Sequence, residues 1–513
     1  MFAFQFVFAM KFNHHTKNTP LRVNHEGAAA YTLTPALELY AAVVTASLSD
    51  QFYEGADDRL VRIRALIAKN DPRFVAQLAV YARERMYLRT VPLVLTVELA
   101  KIHNGDNLVS RLVARVVQRA DEITELLAYY QQANERQGRK KLHLLSKQVQ
   151  KGLSLAFNRF DEYQFAKYDR ATEVKLRDAL FLVHPKAASA NQQALFDKIV
   201  NGSLQTPYTW EVALSVLGQQ KFESKAARLA AFRTQWEELI DSGKLGYMAL
   251  LRNLRNLLEA DVSPAHIAKV AAHLSDARTV ANSKQLPFRF LSAYREVKAI
   301  VSPYTMALLT ALEAAVVASA ANLRGFDADT RVLIACDVSG SMQRPISPRS
   351  NVQNYDIGLM LGMLLQSRTA SVITGLFGDT WKIVNLPQQG ILANVNELHR
   401  REGEVGYSTN GHLVIKDLIA RKLVVDKVMI FTDCQLWNTR GTHENLAGLW
   451  AQYQQMVPNA RLYLFDLAGY GHAPVRINGN VGFIAGWSDK VFHVLAALEN
   501  GGTALTEIQQ IML

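Results

Sequence analysis

The chain has 513 residues, enough for about two to four domains with sizeable hydrophobic cores. Hydrophobic residues make up 49% and charged residues 20%, with no low-complexity tract, which excludes long disorder and collagen-like structure. The net charge of +11 is uneven: residues 326–513 hold 15 Lys+Arg against 16 Asp+Glu, leaving 42 against 30 in residues 1–325. A basic excess confined to the first part points to a polyanionic partner there, nucleic acid above all, with a solvated basic surface as the other reading.

The first ten residues, Met1 to Met10, are apolar but lack the basic flank and small-residue cleavage site of a secretory leader. They are expected to form an edge strand, unless translation starts at Met10. No run of about 18 apolar residues occurs, so no membrane-spanning helix is expected. The two cysteines, Cys336 and Cys434, each lie beside an aspartate at the end of an apolar run. They suit a reducing, cytoplasmic setting and leave no cysteine-based zinc site.

From about Thr34 to Leu323 apolar residues recur at helical spacing. Thr34-Pro35 supplies an N-cap and a first-turn proline. Helices are predicted at 58–68, 72–84, 91–102, 107–115, 122–132, 141–157, 162–168, 175–183 and 191–200. A second group is predicted at 210–217, 225–242, 247–260, 264–275, 287–300 and 303–323. Many short helix pairs over this length predict a solenoid with an extended binding surface. Near Gly325-Phe326-Asp327 the rhythm changes. Arg331 to Cys336, Ser371 to Phe377, Lys427 to Thr432, Arg461 to Phe465 and Val481 to Ile484 read as buried parallel strands alternating with helices. That pattern predicts a doubly wound, Rossmann-like α/β sheet whose ligands sit at the carboxyl ends of the strands.

At the end of the first such strand stands Asp337-Val338-Ser339-Gly340-Ser341. One carboxylate and two hydroxyls in one loop are hard oxygen ligands, suited to Mg²⁺ or Mn²⁺. Thr409 and Asp433 add two more oxygens at the same sheet edge. The plainer reading is that the serines merely turn the chain. This segment resembles the von Willebrand factor A domain with its metal-ion-dependent adhesion site, and the resemblance implies that Asp337, Ser339, Ser341, Thr409 and Asp433 ligate the cation. Here the threonine loop reads Tyr407-Ser408-Thr409-Asn410, which departs from the family pattern and leaves Ser408 as an alternative ligand.

Three segments of the first part narrow the family: Glu26-Gly27-Ala28-Ala29-Ala30-Tyr31 before the first helix, Gly246-Tyr247-Met248-Ala249-Leu250-Leu251-Arg252-Asn253-Leu254 and Leu286-Pro287-Phe288-Arg289-Phe290-Leu291. They resemble hallmark segments of the TROVE domain, and with an A domain after it the chain is similar to the Ro 60 kDa ribonucleoprotein family, including bacterial members. The resemblance implies a short N-terminal extension (1–19), an all-α, HEAT-like TROVE ring (20–325) and an A-like domain (326–513). It also implies a monomeric, non-enzymatic RNA-binding protein. Small noncoding Y-like RNA would bind its outer basic surface and single-stranded ends of misfolded RNA its central hole, in RNA quality control, with an exoribonuclease or other protein as a further partner.

The stretch Ala166-Lys167-Tyr168-Asp169-Arg170, followed by Leu182-Val183-His184-Pro185-Lys186, resembles the family's Y RNA-binding segment, which implies RNA contacts by Lys167, Arg170 and His184. Read from the residues alone, Lys167 and Arg170 favour a solvated helix face over a ligand site. Arg252 and Arg255, at i and i+3, share a helix face that either points into the hole or bonds neighbouring loops. Arg289, between two phenylalanines, reads as structural. No His-Glu-x-x-His, phosphate-binding loop or paired-carboxylate arrangement is present. The alternative function is a metal-dependent protein-interaction scaffold, in which the basic ring is incidental.

Overall fold

The computed structural model describes residues 21–46, 54–134, 145–169, 173–347, 350–437 and 444–513. The apolar segment 1–10, Arg170 and the start of the helix expected at 141–157 lie outside the described residues. From Pro35–Val44 to Thr305–Ser319, 17 α-helices follow one another among the described residues. The first begins as its sequence dictates, with Thr34 Oγ1 accepting from Leu37 N at 3.3 Å and Pro35 in the first turn. Pro72–Glu84 is capped by Asp71, whose carboxylate accepts from the amides of Arg73 and Phe74. Several helices pack on the next and also on the one two further along, which is the layering of a solenoid. Leu108–Val116 and Lys147–Phe157 approach closely, so that a Cβ on Gly152 would lie 2.5 Å from Val113 Cβ. Glycine costs about 1 kcal/mol in a helix, so its presence here reflects that close packing.

The C-terminal part carries a six-stranded sheet in the order Trp381–Ile383, Ser371–Phe377, Arg331–Asp337, Lys427–Thr432, Arg461–Asp466, Val481–Ala485. All neighbours are parallel except the short edge strand Trp381–Ile383, too short to be read from periodicity. Helix Asn354–Gln366 has every residue buried, because it lies against the sheet on one side and the end of the helical array on the other. Helices Ala277–Ser283, Ile391–Arg400 and Ala504–Gln509 were also not predicted; the second has a clear apolar face of Ile391, Leu392, Val395 and Leu398 at helical spacing.

Both ends of the helical array are fixed to the α/β unit. At the beginning, strands Leu21–Val23 and Ala29–Thr32 form a small antiparallel sheet with His472–Ala473. Asn24 Nδ2 donates to Leu436 O at 2.8 Å, Tyr40 OH to Ala485 O at 2.9 Å and Arg62 to Gly469 O at 2.7 Å. At the end, Arg295 holds the buried Asp356 carboxylate with two bonds of 2.8 and 2.6 Å. There too, Glu313 accepts from the amides of Leu392 and Ala393 at the start of helix Ile391–Arg400. The array and the α/β unit therefore form a closed circuit. No helix among the described residues is long and apolar enough to cross a membrane.

Candidate nucleic-acid interface and metal centre

A cavity of about 940 Å³ opens among segments that come from along the helical array, from Arg89 to Gln285. Helix Glu162–Tyr168 presents Lys167 to it. The helix starts with a reciprocal cap: Gln164 N donates to Asp161 Oδ1 at 2.7 Å, and Asp161 N donates to Gln164 Oε1 at 3.0 Å. Tyr163 and Lys167 are one turn apart, and the ammonium lies 5.5 Å from the Tyr163 ring centre and 5.7 Å from that of Tyr168. The Arg119 guanidinium stands 4.3 Å from the same Tyr168 ring. Tyr168 is thus bracketed by two cations.

The cavity cations fall into two kinds. Arg119 pairs with Asp121 at 2.8 Å, and Arg89 meets Asp121, Glu122 and Glu125 at 3.2 to 3.3 Å, so these charges are already matched. Lys167, Lys244 and Arg252 have no carboxylate partner among the described residues; Lys244 rests 5.5 Å from the Tyr208 ring centre. Asp169 and Glu211 are the acidic residues of the lining. Aromatic faces come from Tyr163, Tyr168, Trp210 and Tyr247. The Tyr247 hydroxyl is spent on Leu274 O at 2.8 Å, and burial pushes its pKa up.

The residues singled out from sequence separate here. Lys167 and Arg252 line the same cavity. Arg255 is turned away: Glu259 accepts from it at 2.8 Å and Glu296 at 3.4 Å, because its position on the helix faces those two acids. That is the structural alternative for this arginine. His184 is exposed at the C-cap of helix Leu176–Val183, in the left-handed conformation at φ 47°, and does not border the cavity. Arg289, expected to be structural, is exposed beside the buried Phe288 and Phe290. Lys244 and the aromatic lining were not picked out from sequence. The Tyr163–Lys167 spacing was legible; the other lining residues come from distant segments with no shared pattern.

The second site lies at the carboxyl edge of the sheet. Asp337, Ser339, Ser341, Thr409 and Asp433 are all buried there. Asp337 accepts from Thr432 Oγ1 at 2.6 Å and from Ser339 N at 3.0 Å. Ser339 Oγ and Ser341 Oγ stand 3.3 Å apart. The Thr409 loop is pulled onto this edge by Gly340 N donating to Tyr407 O at 2.8 Å and Asn410 N to Gly378 O at 3.1 Å. A Cβ on Gly378 would fall 2.0 Å from Gly406 O, so only glycine lets the loop approach. Ser408 N bonds Asp379 at 2.9 Å and Ser408's hydroxyl serves the same carboxylate, holding Asp379 below its ordinary pKa. Ser408 is therefore committed elsewhere, and Thr409 is the buried residue of the loop.

Burial pushes the Asp337 and Asp433 carboxyls well above the usual range, and for Asp433 the Asp337 charge adds to the rise. Asp433 Oδ2 is buried without a hydrogen-bond partner. No group of three or more His, Cys, Asp or Glu converges among the described residues, so a cation held here needs the hydroxyls. Two crowded carboxylates, one orphaned oxygen and three hydroxyls fit a hard divalent cation.

Comparison with known proteins places this architecture. The TROVE domain family model matches residues 42–229 and 202–324. A solved structure, the Deinococcus radiodurans RO (RSR) protein, superposes over 91% of this chain and 100% of its own, with a TM-score of 0.57 at 18% identity, a likeness of fold. Telomerase protein component 1 of Rattus norvegicus is 44% identical over 91 residues, and that of Mus musculus 42% over 94. Each stretch is 18% of this chain and 3% of the relative, so the chain spans a small part of those proteins. With the family model matched over more than half of the chain, the chain belongs to the TROVE domain family.

Proposed function

We propose that the cavity holds single-stranded RNA, and that the protein is the core of a Ro-type ribonucleoprotein acting in RNA quality control. The observation that supports this most is the alternation of unmatched cations (Lys167, Lys244, Arg252) with aromatic faces (Tyr163, Tyr168, Trp210) around one cavity. Cations take the phosphates and rings take the bases, a sequence-tolerant combination. A small structured Y-like RNA on the outer surface, with His184 among its contacts, belongs to the same reading. So do a cytoplasmic location and the handing of RNA ends to an exoribonuclease. The chain's role is binding rather than catalysis. The test is fluorescence anisotropy with oligouridine over a salt series. Affinity is expected to fall with a log–log slope of about −0.7 for each phosphate engaged. A flat salt dependence refutes the reading.

The C-terminal unit is proposed to be a von Willebrand A-like domain whose Asp337, Ser339, Ser341, Thr409 and Asp433 hold Mg²⁺ or Mn²⁺. The cation would supply an electrophilic position for an acidic group of a protein partner. The chain's own residues bring the hydroxyls to the two carboxylates and keep Ser408 away. Mg²⁺ or Mn²⁺ at about 100 times Kd is expected to stabilise the full chain by about 2.7 kcal/mol, and Asp337→Ala to abolish that increment. Thermal unfolding with and without the cation reads it directly. An unchanged wild-type transition would remove the metal centre.

A further inference from the structure

Strand Lys427–Thr432 runs on into Asp433-Cys434-Gln435-Leu436-Trp437, and the first four of these residues are buried. The chain turns sharply there, with Cys434 in the left-handed region at φ 61°, which a non-glycine residue keeps only where its surroundings hold it. Bonds within the α/β unit hold it: Cys434 N donates to Thr432 Oγ1 at 3.2 Å, Gln435 N to Asp433 Oδ1 at 2.9 Å and Trp437 N to Thr409 O at 3.0 Å. Two more bonds come from the beginning of the chain. His25 N donates to Gln435 Oε1 at 2.9 Å, and Asn24 Nδ2 to Leu436 O at 2.8 Å.

The segment that supplies these two donors is a preset strap. Asn24 N donates to Ala28 O at 2.8 Å, Ala28 N to Asn24 Oδ1 at 2.8 Å and Gly27 N to Asn24 O at 3.0 Å. The Asn24 amide therefore closes the strap's own turn with its oxygen and reaches across the junction with its nitrogen. Strand Ala29–Thr32 follows and pairs with His472–Ala473, so the strap belongs to the seam where the beginning of the helical array meets the α/β unit.

The seam and the carboxyl edge of the sheet meet in Gln435. Its backbone amide engages one oxygen of Asp433, while the other, Oδ2, stays buried with no hydrogen-bond partner among the described residues. That bond fixes the rotation of the carboxylate and so decides which oxygen is left for a cation. The side chain of Gln435 is what the strap holds, and it is 0% exposed, with no room to turn. Asp337, the other carboxylate, is fixed from inside the α/β unit by Thr432 and Ser339. The geometry of Asp433 depends instead on a residue that the first part of the chain grips.

We propose that Gln435 is a positioning residue that joins the cation edge to the closing strap: docking of Asn24 and His25 presets Asp433 for a divalent cation, and a cation held there tightens the strap. This rests on the reading of the edge as a cation site. Coupling between two equilibria is reciprocal, so whatever factor the docked strap adds to cation affinity, the bound cation adds to docking. Closure of the circuit at this seam then follows the supply of divalent cation.

The experiment uses the full chain and Mg²⁺, with affinity read by calorimetry and the strap by amide hydrogen exchange over residues 24–32. In the wild type, saturating Mg²⁺ is expected to slow strap exchange about tenfold and to leave the distant helix Leu108–Val116 unchanged. Gln435→Met keeps the side chain's length and removes the acceptor. It is expected to weaken Mg²⁺ binding about tenfold and to bring the strap's exchange ratio with and without Mg²⁺ close to one. Asn24→Asp keeps the strap's turn but has no donor for Leu436 O, and is expected to lower both readouts from a position outside the cation edge. A residue that merely braced the fold would speed strap exchange in Gln435→Met yet leave its response to Mg²⁺ intact, and that result overturns the proposal. So does a wild-type strap that ignores bound Mg²⁺, or one slowed no more than Leu108–Val116. Absence of any Mg²⁺ binding to the wild type instead overturns the cation reading itself.

Discussion

Reversing two of the unmatched cavity charges, Lys167→Glu with Arg252→Glu, is expected to lower affinity for single-stranded RNA by about 100-fold, or roughly 2.7 kcal/mol. Each reversal removes a cation that would neutralise a phosphate and adds a repulsive carboxylate on the same wall. The log–log salt slope should flatten by about 0.7 for each phosphate no longer neutralised, so weakened electrostatic binding is distinguishable from loss of fold. Arg255→Glu is the matched control. Its guanidinium is held by Glu259 and Glu296, and reversal there should leave RNA affinity within about twofold. An equal loss in the control would mean that general surface charge, and not the cavity, binds RNA.

The second large effect concerns closure of the circuit. The Asp356 carboxylate is fully buried and accepts two bonds from Arg295, one from His399 Nδ1 at 3.2 Å and one from Gln353 N at 2.9 Å. Burial alone would raise its pKa, but the Arg295 bonds and then the His399 bond outweigh it and hold the carboxyl below its ordinary value. Arg295→Met leaves that charge in place without its main partner, which is expected to cost about 3–5 kcal/mol. The loss should appear as faster hydrogen exchange in helix Asn354–Gln366 and an earlier denaturation step, while distant helices such as Leu108–Val116 keep their protection.

The pH dependence of this junction follows from the sign of the shift. A carboxyl whose folded pKa lies below its unfolded value of about 4 stabilises fully above that value. The contribution is lost as pH falls through the folded pKa. Wild type should therefore lose junction stability on acidification below about pH 4, and Arg295→Met should show less of that dependence. A variant whose exchange profile matches wild type at neutral pH would refute this role for the pair.

Much of the local structure was written in local signals. The Pro72–Glu84 and Glu162–Tyr168 helices have the bounds that their caps and periodicity predict, and five of the six sheet strands follow from short apolar runs. The Asp337-x-Ser-x-Ser loop was legible for the same reason: its oxygens are neighbours in sequence, and a strand must deliver them to one edge. The strand Trp381–Ile383 was missed because three residues carry no period, and helix Ala277–Ser283 because it is short and polar.

By itself the sequence determined which residue types exist to act: a basic first part, an oxygen-rich strand end, and arginines on an apolar helix. Only the tertiary structure decided which of them meet. Arg252 and Arg255 are three residues apart and equally charged, yet Glu259 and Glu296 bind one while the other faces the cavity. Ser408 and Thr409 are adjacent hydroxyls, and Asp379 takes one of them, so the other is the residue buried at the carboxyl edge of the sheet. In each case the deciding partner comes from a different segment of the chain. Periodicity specifies the face a residue occupies on its own helix or loop, and the packing of other elements specifies what that face meets.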